Sequence, residues 1–121
     1  MTLNLRKYGK DILSAYNEVI NSKDGDHWLI LEYEGTTNIL KIGDSGDGGL
    51  SEFSTSFSAG KLQFGVIAVK TTSASQRKVA LIQWQGDGVP ASRLATTSSH
   101  ANELKHFLRG VHVVWIPSPS L

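Results

Sequence analysis

Four histidines are the side chains in this sequence with which metal binding or acid–base chemistry would most readily begin. His100 and His106 are six residues apart, a spacing that points them in different directions on a helix with 3.6 residues per turn. Neither has a histidine or a carboxylate four residues away that would complete a metal pair. We therefore expect no metal site and no cofactor, and we assign the histidines to packing or to the surface.

A glycine-rich run, residues 43–49, suggests phosphate or calcium binding as the next candidate chemistry. A phosphate loop needs a lysine and a hydroxyl after its last glycine, whereas Leu50 follows Gly49 here. Asp44 and Asp47 would repel phosphate, and the acidic spacing that a calcium loop requires is absent. The run therefore predicts a flexible connection.

The many serines and threonines offer hydroxyl nucleophiles, but none lies in a Gly-x-Ser-x-Gly turn. Ser45 and Ser51, in and just after the glycine run, have no base near them in sequence. Carboxylates that meet only in the folded chain stay open as a catalytic pair. Because no motif favours catalysis, we predict that the protein is not an enzyme.

The composition is that of one folded domain. The chain has 121 residues, of which 40% are hydrophobic, and its formal charge is +1. A nucleic-acid-binding protein would usually show a strong basic excess, so we expect no nucleic-acid partner. There are no cysteines, and no apolar run approaches the ~20 residues that cross a bilayer. Residues 1–10 also lack the apolar run of a signal peptide. These features predict a soluble, cytoplasmic protein without a membrane span.

Hydrophobic periodicity predicts three helices and five strands that would carry these side chains. In chain order they are a helix over 5–21, strands over 28–31 and 38–42, a short helix over 50–59, strands over 62–69 and 79–84, a long helix from Pro90 or Ser92 to about Leu108, and a strand over 111–116. This order predicts an α/β sandwich, a mixed five-stranded sheet with helices on both faces. We expect one domain over residues 1–116 and a short Pro/Ser tail over 117–121.

Several segments together resemble the actin-depolymerising-factor homology domains of drebrin, drebrin-like adaptor proteins and coactosin. The most extensive are Ala80-Leu-Ile-Gln-Trp-Gln-Gly86 and Phe107-Leu-Arg-Gly-Val-His-Val113, and shorter ones are Leu3-Asn-Leu5, Tyr33-Glu-Gly35 and Gly46-Asp-Gly-Gly-Leu50. Their order and spacing carry the resemblance over about residues 2–113, which is nearly the whole chain. The resemblance implies the ADF/cofilin-like fold.

The resemblance also implies a function, which is binding to filamentous actin without severing. Domains of this family bind actin chiefly through the start of the long helix, helped by the N-terminal peptide. The implied binding residues are Arg93, Leu94 and Ser98 in the helix, with Thr2, Leu3 and Asn4 at the N-terminus, and helical geometry adds Ala101 and Lys105. On a continuous helix, Leu94, Ser98 and Lys105 would share one flank with Ala101. That Leu94 packs only into its own domain stays an alternative. The family implies a cytoplasmic, cytoskeleton-associated protein.

The end of the sequence departs from the family pattern. Family members close with a further helix, whereas Pro117 and Pro119 interrupt the last residues of this sequence. We therefore expect the final C-terminal helix to be missing and one face of the sheet to be partly uncovered, which favours self-association. The alternative function is an interaction module that has kept the fold but lost actin. Such a module would bind itself, another cytoskeletal protein or the actin-nucleating complex.

Overall fold

The computed structural model describes residues 2–22, 26–70 and 77–115. In chain order its elements are α1 (Gly9–Asn21), β1 (Trp28–Tyr33), β2 (Leu40–Gly46), α2 (Gly49–Ser54), β3 (Leu62–Lys70), β4 (Arg77–Gln85), α3 (Ala91–Thr96), α4 (His100–Leu108) and β5 (Val113–Trp115). The predicted tail over 117–121 and the predicted absence of a final helix concern residues outside the described ranges, as does the centre of the loop between β3 and β4.

The five strands form one mixed sheet in the order β2-β1-β3-β4-β5. The β2–β1, β1–β3 and β3–β4 pairs are antiparallel, whereas β5 runs parallel to β4, with Ile82 opposite Trp115. A parallel neighbour requires a crossover, which α3 and α4 supply between β4 and β5. The predicted five-stranded mixed sheet is confirmed.

The sheet has a hydrophobic core on each face. Successive side chains of a strand point to opposite faces, so Leu29 and Leu31 of β1 enter one core while Trp28 and Ile30 enter the other. The larger core is closed by the apolar sides of α1 and α4, with Ile12, Tyr16, Leu104 and Leu108 buried. The smaller core is closed by Phe53 of α2. Helices therefore lie on both faces, as predicted.

The prediction of a flexible connection is wrong for the first half of the glycine run. Strand β2 continues to Gly46, which lies opposite Trp28 of β1. A Cβ atom at Gly46 would lie 2.5 Å from Cζ2 of Trp28 and would also overlap the carboxylate of Glu52. Glycine is therefore required at this strand position because the indole of Trp28 occupies the space of a side chain.

Candidate functional site

The predicted long helix is two helices, α3 and α4, with a turn over residues 97–99. Four consecutive hydroxyl residues, 96–99, lie at this break, and three of them bond back to α3. Oγ1 of Thr96 donates to the carbonyl of Ser92 at 2.8 Å, and Oγ1 of Thr97 donates to that of Arg93 at 2.9 Å. Oγ of Ser98 donates to the carbonyl of Ala95 at 3.0 Å. Because such side-chain bonds compete with the helical backbone ladder, they favour a helix end at this point.

The break changes which residues face outward. Ser98 and Lys105 are exposed, but the Ala101 side chain is only 3% exposed and belongs to the larger core. Leu94 is half-buried and packs against the same core, so the alternative in which it contacts its own domain describes part of its surface. Leu94, Ser98, Ala101 and Lys105 therefore do not form one exposed flank.

Residues that sequence reasoning did not single out complete the exposed surface. On each helix the three exposed side chains are one, three and four residues apart, so they lie within about one turn of one another. We call these residues, together with Ser98 and Ser99 of the turn, the α3–α4 surface: Ala91, Ser92, Ala95, Ser98, Ser99, Asn102, Lys105 and His106.

Arg93 is held by the turn that joins β1 to β2. Its Nη1 donates to Oδ1 of Asn38 at 2.9 Å, and its Nη2 donates to the carbonyl oxygen of Thr37. The guanidinium carbon lies 4.5 Å from the ring centroid of Tyr33, a cation–π geometry. These contacts fix the side chain against the sheet, leaving it partly exposed beside the α3–α4 surface.

Tyr33, the last residue of β1, contacts both α3 and α4. Arg93 of α3 stacks on its ring, and its hydroxyl lies 2.7 Å from Nδ1 of His100, the first residue of α4. Burial raises the pKa of Tyr33 well above its usual value, while the nearby Arg93 opposes this rise and Glu103 adds to it. His100 is fully buried and pairs with this neutral hydroxyl. The end of β1 thus fixes α3 and α4 on either side of the break.

The N-terminal peptide, residues 2–5, lies along the edge of β2. The backbone N–H of Asn4 donates to the carbonyl of Asn38 at 2.8 Å, and that of Leu40 donates to the carbonyl of Asn4 at 3.1 Å. The N–H of Leu3 donates to Oε1 of Glu103 in α4 at 3.2 Å. The Leu3 side chain is buried in the larger core, whereas Thr2 and Asn4 are exposed.

Asn38 joins the two halves of the candidate site. Its carbonyl accepts from the N-terminal peptide, and its side-chain oxygen accepts from Arg93. Thr2 and Asn4 are therefore brought to the same end of the domain as α3 and the start of α4. No spacing in the sequence reveals this link, because Asn38 and Arg93 are 55 residues apart.

The α3–α4 surface carries mostly small side chains. Its exposed side chains are small hydroxyls, an amide and methyl groups, with Lys105 and the imidazole of His106 at its α4 end. Within residues 2–22, 26–70 and 77–115, no group of three or more histidine and carboxylate side chains could hold a metal ion. Nor does that described part of the chain contain a helix long and apolar enough to cross a membrane.

Comparison with known proteins gives consistent matches. Residues 7–119 match the family described as cofilin/tropomyosin-type actin-binding protein. Drebrin-like protein A of Xenopus laevis is 34% identical over 113 residues, which are 93% of this chain and 25% of that protein. The chain thus spans about a quarter of the length of this relative.

Solved structures share the fold. The cofilin homology domain of a yeast actin-binding protein has a TM-score of 0.76 at 21% identity, covering 94% of this chain and 85% of that domain. Mouse coactosin, described as an actin filament binding protein, has a TM-score of 0.71 at 22% identity, covering 93% of this chain and 80% of that one. The ADF/cofilin-like fold expected from the sequence is confirmed.

Proposed function

Because this chain belongs to the cofilin/tropomyosin-type actin-binding protein family, we propose that it binds filamentous actin, without severing it, through the α3–α4 surface and the N-terminal peptide. The observation that carries the proposal is the bonding of Asn38 to both Asn4 and Arg93, since it makes one surface of the two segments. The protein would act without a catalytic step, in the cytoplasm, on the actin cytoskeleton.

The residues implied by the resemblance divide into two roles in this proposal. Thr2, Asn4, Ser98 and Lys105 are exposed and would contact actin directly, Lys105 by meeting acidic groups at the rim of the interface. Arg93 and Leu94 are partly exposed and would contact actin with the surface that their own domain leaves free. The buried Leu3 and Ala101 would support the surface from beneath.

Preference for filaments rests on the kind of relative that the chain resembles. Mouse coactosin is described as an actin filament binding protein, and its fold is shared here. The small side chains of Ser92, Ala95 and Ser98 allow the backbone of α3 to approach a partner closely. Such a surface would decorate a filament, and we propose no severing activity for it.

Filament co-sedimentation with Ala95→Asp tests the site. Ala95 is exposed near the end of α3, so the substitution adds a carboxylate in the centre of the surface without opening the core. An unpaired charge in an interface typically costs about 2–4 kcal/mol, so filament affinity should fall at least about thirtyfold. The matched control is Ser54→Asp at the end of α2, on the opposite face of the sheet, which should bind as the wild type does.

Equal pelleting of Ala95→Asp and the wild type would exclude this surface. Severing is tested separately by filament-length measurements, and shortened filaments at saturating protein would contradict the second half of the proposal.

A second candidate function, the interaction module without actin binding, is favoured by one observation. An apolar groove of about 610 Å³ opens beside α2. We call it the α2 groove, and its apolar lining consists of Leu50, Phe53, Phe57, Ile82 and Trp84. Leu50 is 59% exposed, and an exposed apolar patch of this kind commonly marks an interaction site.

The sequence analysis expects self-association, so the partner for this groove would be a second copy of the chain. Light scattering of the wild type and Leu50→Lys tests this. A concentration-dependent dimer that the substitution abolishes supports the module. A monomer at all concentrations, together with filament binding, excludes it in favour of the actin-binding function.

A further inference from the structure

We propose that Glu103 is a positioning residue that clasps the N-terminal peptide to the first turn of α4; this proposal rests on the actin-binding function above. Both oxygens of its carboxylate have a partner. Oε1 accepts the backbone N–H of Leu3 at 3.2 Å, and Oε2 accepts the hydroxyl of Ser99 at 3.3 Å. The carboxylate therefore links two segments that are 100 residues apart in sequence.

The position of Glu103 in α4 suits a carboxylate. The residue lies in the first turn of the helix, where the helix dipole favours negative charge. Its backbone N–H donates to the carbonyl of Ser99 at 3.2 Å, so the two side chains are neighbours on one helical face. Ser99 precedes α4 and occupies Oε2, which leaves Oε1 directed at the N-terminal peptide. Ser99 thus orients the acceptor that Leu3 uses.

The hydrogen bond from Leu3 to Glu103, which we call the clasp, fixes the direction of the N-terminal peptide beyond Leu3. Two other backbone bonds hold Asn4 to Asn38 of the β1–β2 turn and to Leu40 of β2, and the buried Leu3 side chain anchors the peptide in the core. Among the hydrogen bonds between described residues, the one from the N–H of Leu3 is the most N-terminal, and the exposed Thr2 precedes it. Loss of the clasp would therefore leave the fold intact, and Thr2 would sample more conformations.

A freed peptide weakens binding without removing a contact. If Thr2 must be ordered when actin binds, the wild-type clasp has already restricted its conformations, and the partner does not have to do so. Glu103 acts in this way through Leu3, as a positioning residue, and need not touch actin itself.

The experiment compares Glu103→Ala, which removes the acceptor, with Glu103→Gln, which keeps a carbonyl oxygen able to accept from Leu3. Amide hydrogen exchange at Leu3, measured by NMR, reports the clasp, and filament co-sedimentation reports its consequence. We expect exchange at Leu3 to accelerate about tenfold and filament affinity to fall about three- to tenfold in Glu103→Ala. Glu103→Gln should restore both to within about twofold, and Glu18→Ala on the exposed side of α1 is the matched control.

A Thr2→Ala background, which keeps the backbone N–H of Leu3, separates positioning from direct contact. In that background Glu103→Ala should cause little further loss of filament affinity, because the Thr2 side chain that the clasp directs is gone. An additive loss would overturn the proposal, since Glu103 would then contact actin directly.

The readouts also separate this proposal from the function on which it rests. Unchanged exchange at Leu3 in Glu103→Ala would overturn the clasp whatever the protein binds. If exchange at Leu3 is faster in Glu103→Ala but the wild-type protein binds no filament, the clasp is supported and the proposed function is refuted. Faster exchange with undiminished filament affinity would overturn the positioning role.

Discussion

Arg93 offers the strongest test of how the candidate site is built, because its side chain has partners that can be removed one at a time. It makes two hydrogen bonds to the β1–β2 turn, one to the side chain of Asn38 and one to the carbonyl of Thr37. It also stacks on Tyr33 at 4.5 Å. The perturbation is Arg93→Ala, alone and combined with Asn38→Ala.

The expected magnitude follows from these three contacts. A hydrogen bond contributes a net ~1 kcal/mol, and a cation–π contact at a partly exposed site contributes ~0.5–1 kcal/mol. Because Arg93 is partly exposed, we discount the sum and expect Arg93→Ala to lower the free energy of unfolding by about 2 kcal/mol. Asn38→Ala keeps the backbone carbonyl that binds Asn4, so it should lower that free energy by about 1 kcal/mol.

The assay is urea unfolding of the four proteins of the double-mutant cycle. Since the Asn38 amide and the Arg93 guanidinium bond to each other, the two losses should fail to add by about 1 kcal/mol. Lys10→Ala, on the exposed side of α1, is the control and should change the free energy of unfolding by less than about 0.5 kcal/mol. Additive losses, with a coupling below about 0.3 kcal/mol, would refute the anchoring of Arg93 by the turn.

Two further predictions concern the sheet and its buried hydroxyl. Gly46→Ala should lower the free energy of unfolding by about 1–3 kcal/mol in urea titrations, because its Cβ would overlap Trp28. The comparison variant Gly35→Ala has nothing within 4 Å of its Cβ and tests only the strain of a φ of +59°. Equal stability of Gly46→Ala and wild type would contradict this packing. Because the pKa of Tyr33 is raised in the folded protein, its contribution to the free energy of unfolding is complete below pH 10.0, the pKa of an unfolded tyrosine. That contribution is lost as the pH rises above 10.0, since Tyr33 ionises first in the unfolded chain. Tyr33→Phe should therefore be less stable than wild type at pH 7 by about 1 kcal/mol, because the bond to His100 is lost. That difference in the free energy of unfolding should shrink by up to about 1.4 kcal/mol per pH unit above pH 10. A constant difference would show that Tyr33 ionises normally in the folded protein.

The sequence predicted the sheet and its covered faces because apolar runs and helical periodicity report burial directly. Trp28–Leu31 is apolar at every position, which is typical of a strand with cover on both sides, and each of these residues is buried. The extension of β2 to Gly46 could not be predicted in the same way. Glycine usually weakens a strand, and only the neighbouring Trp28 makes it the residue that fits.

The candidate site was less predictable because its contacts are long-range. Periodicity gave one long helix because Leu104, Phe107 and Leu108 supply a buried apolar stripe at helical spacing. A signal for the break was present in the hydroxyl run over residues 96–99, whose side chains bond back to the backbone of α3. No such signal exists for Asn38 or Glu103, whose partners are chosen by the fold.

The β1–β2 turn, residues 34–39, organises the site without belonging to its exposed surface. At one end Glu34 accepts hydrogen bonds from the Tyr8 hydroxyl at 2.9 Å and from the Lys7 ammonium at 3.2 Å. These two bonds, the one to Tyr8 first, hold the pKa of Glu34 below its usual value. At the other end Asn38 holds Asn4 and Arg93.

The N-terminal residues are thus attached to both ends of one turn, which is itself closed by a bond from the N–H of Glu34 to the carbonyl of Ile39 at 2.8 Å. A change in this turn would displace the N-terminal peptide and Arg93 together, because both are bonded to it. Substitutions at Glu34 and Asn38 would therefore displace parts of the proposed actin-binding site, although neither side chain lies on the α3–α4 surface.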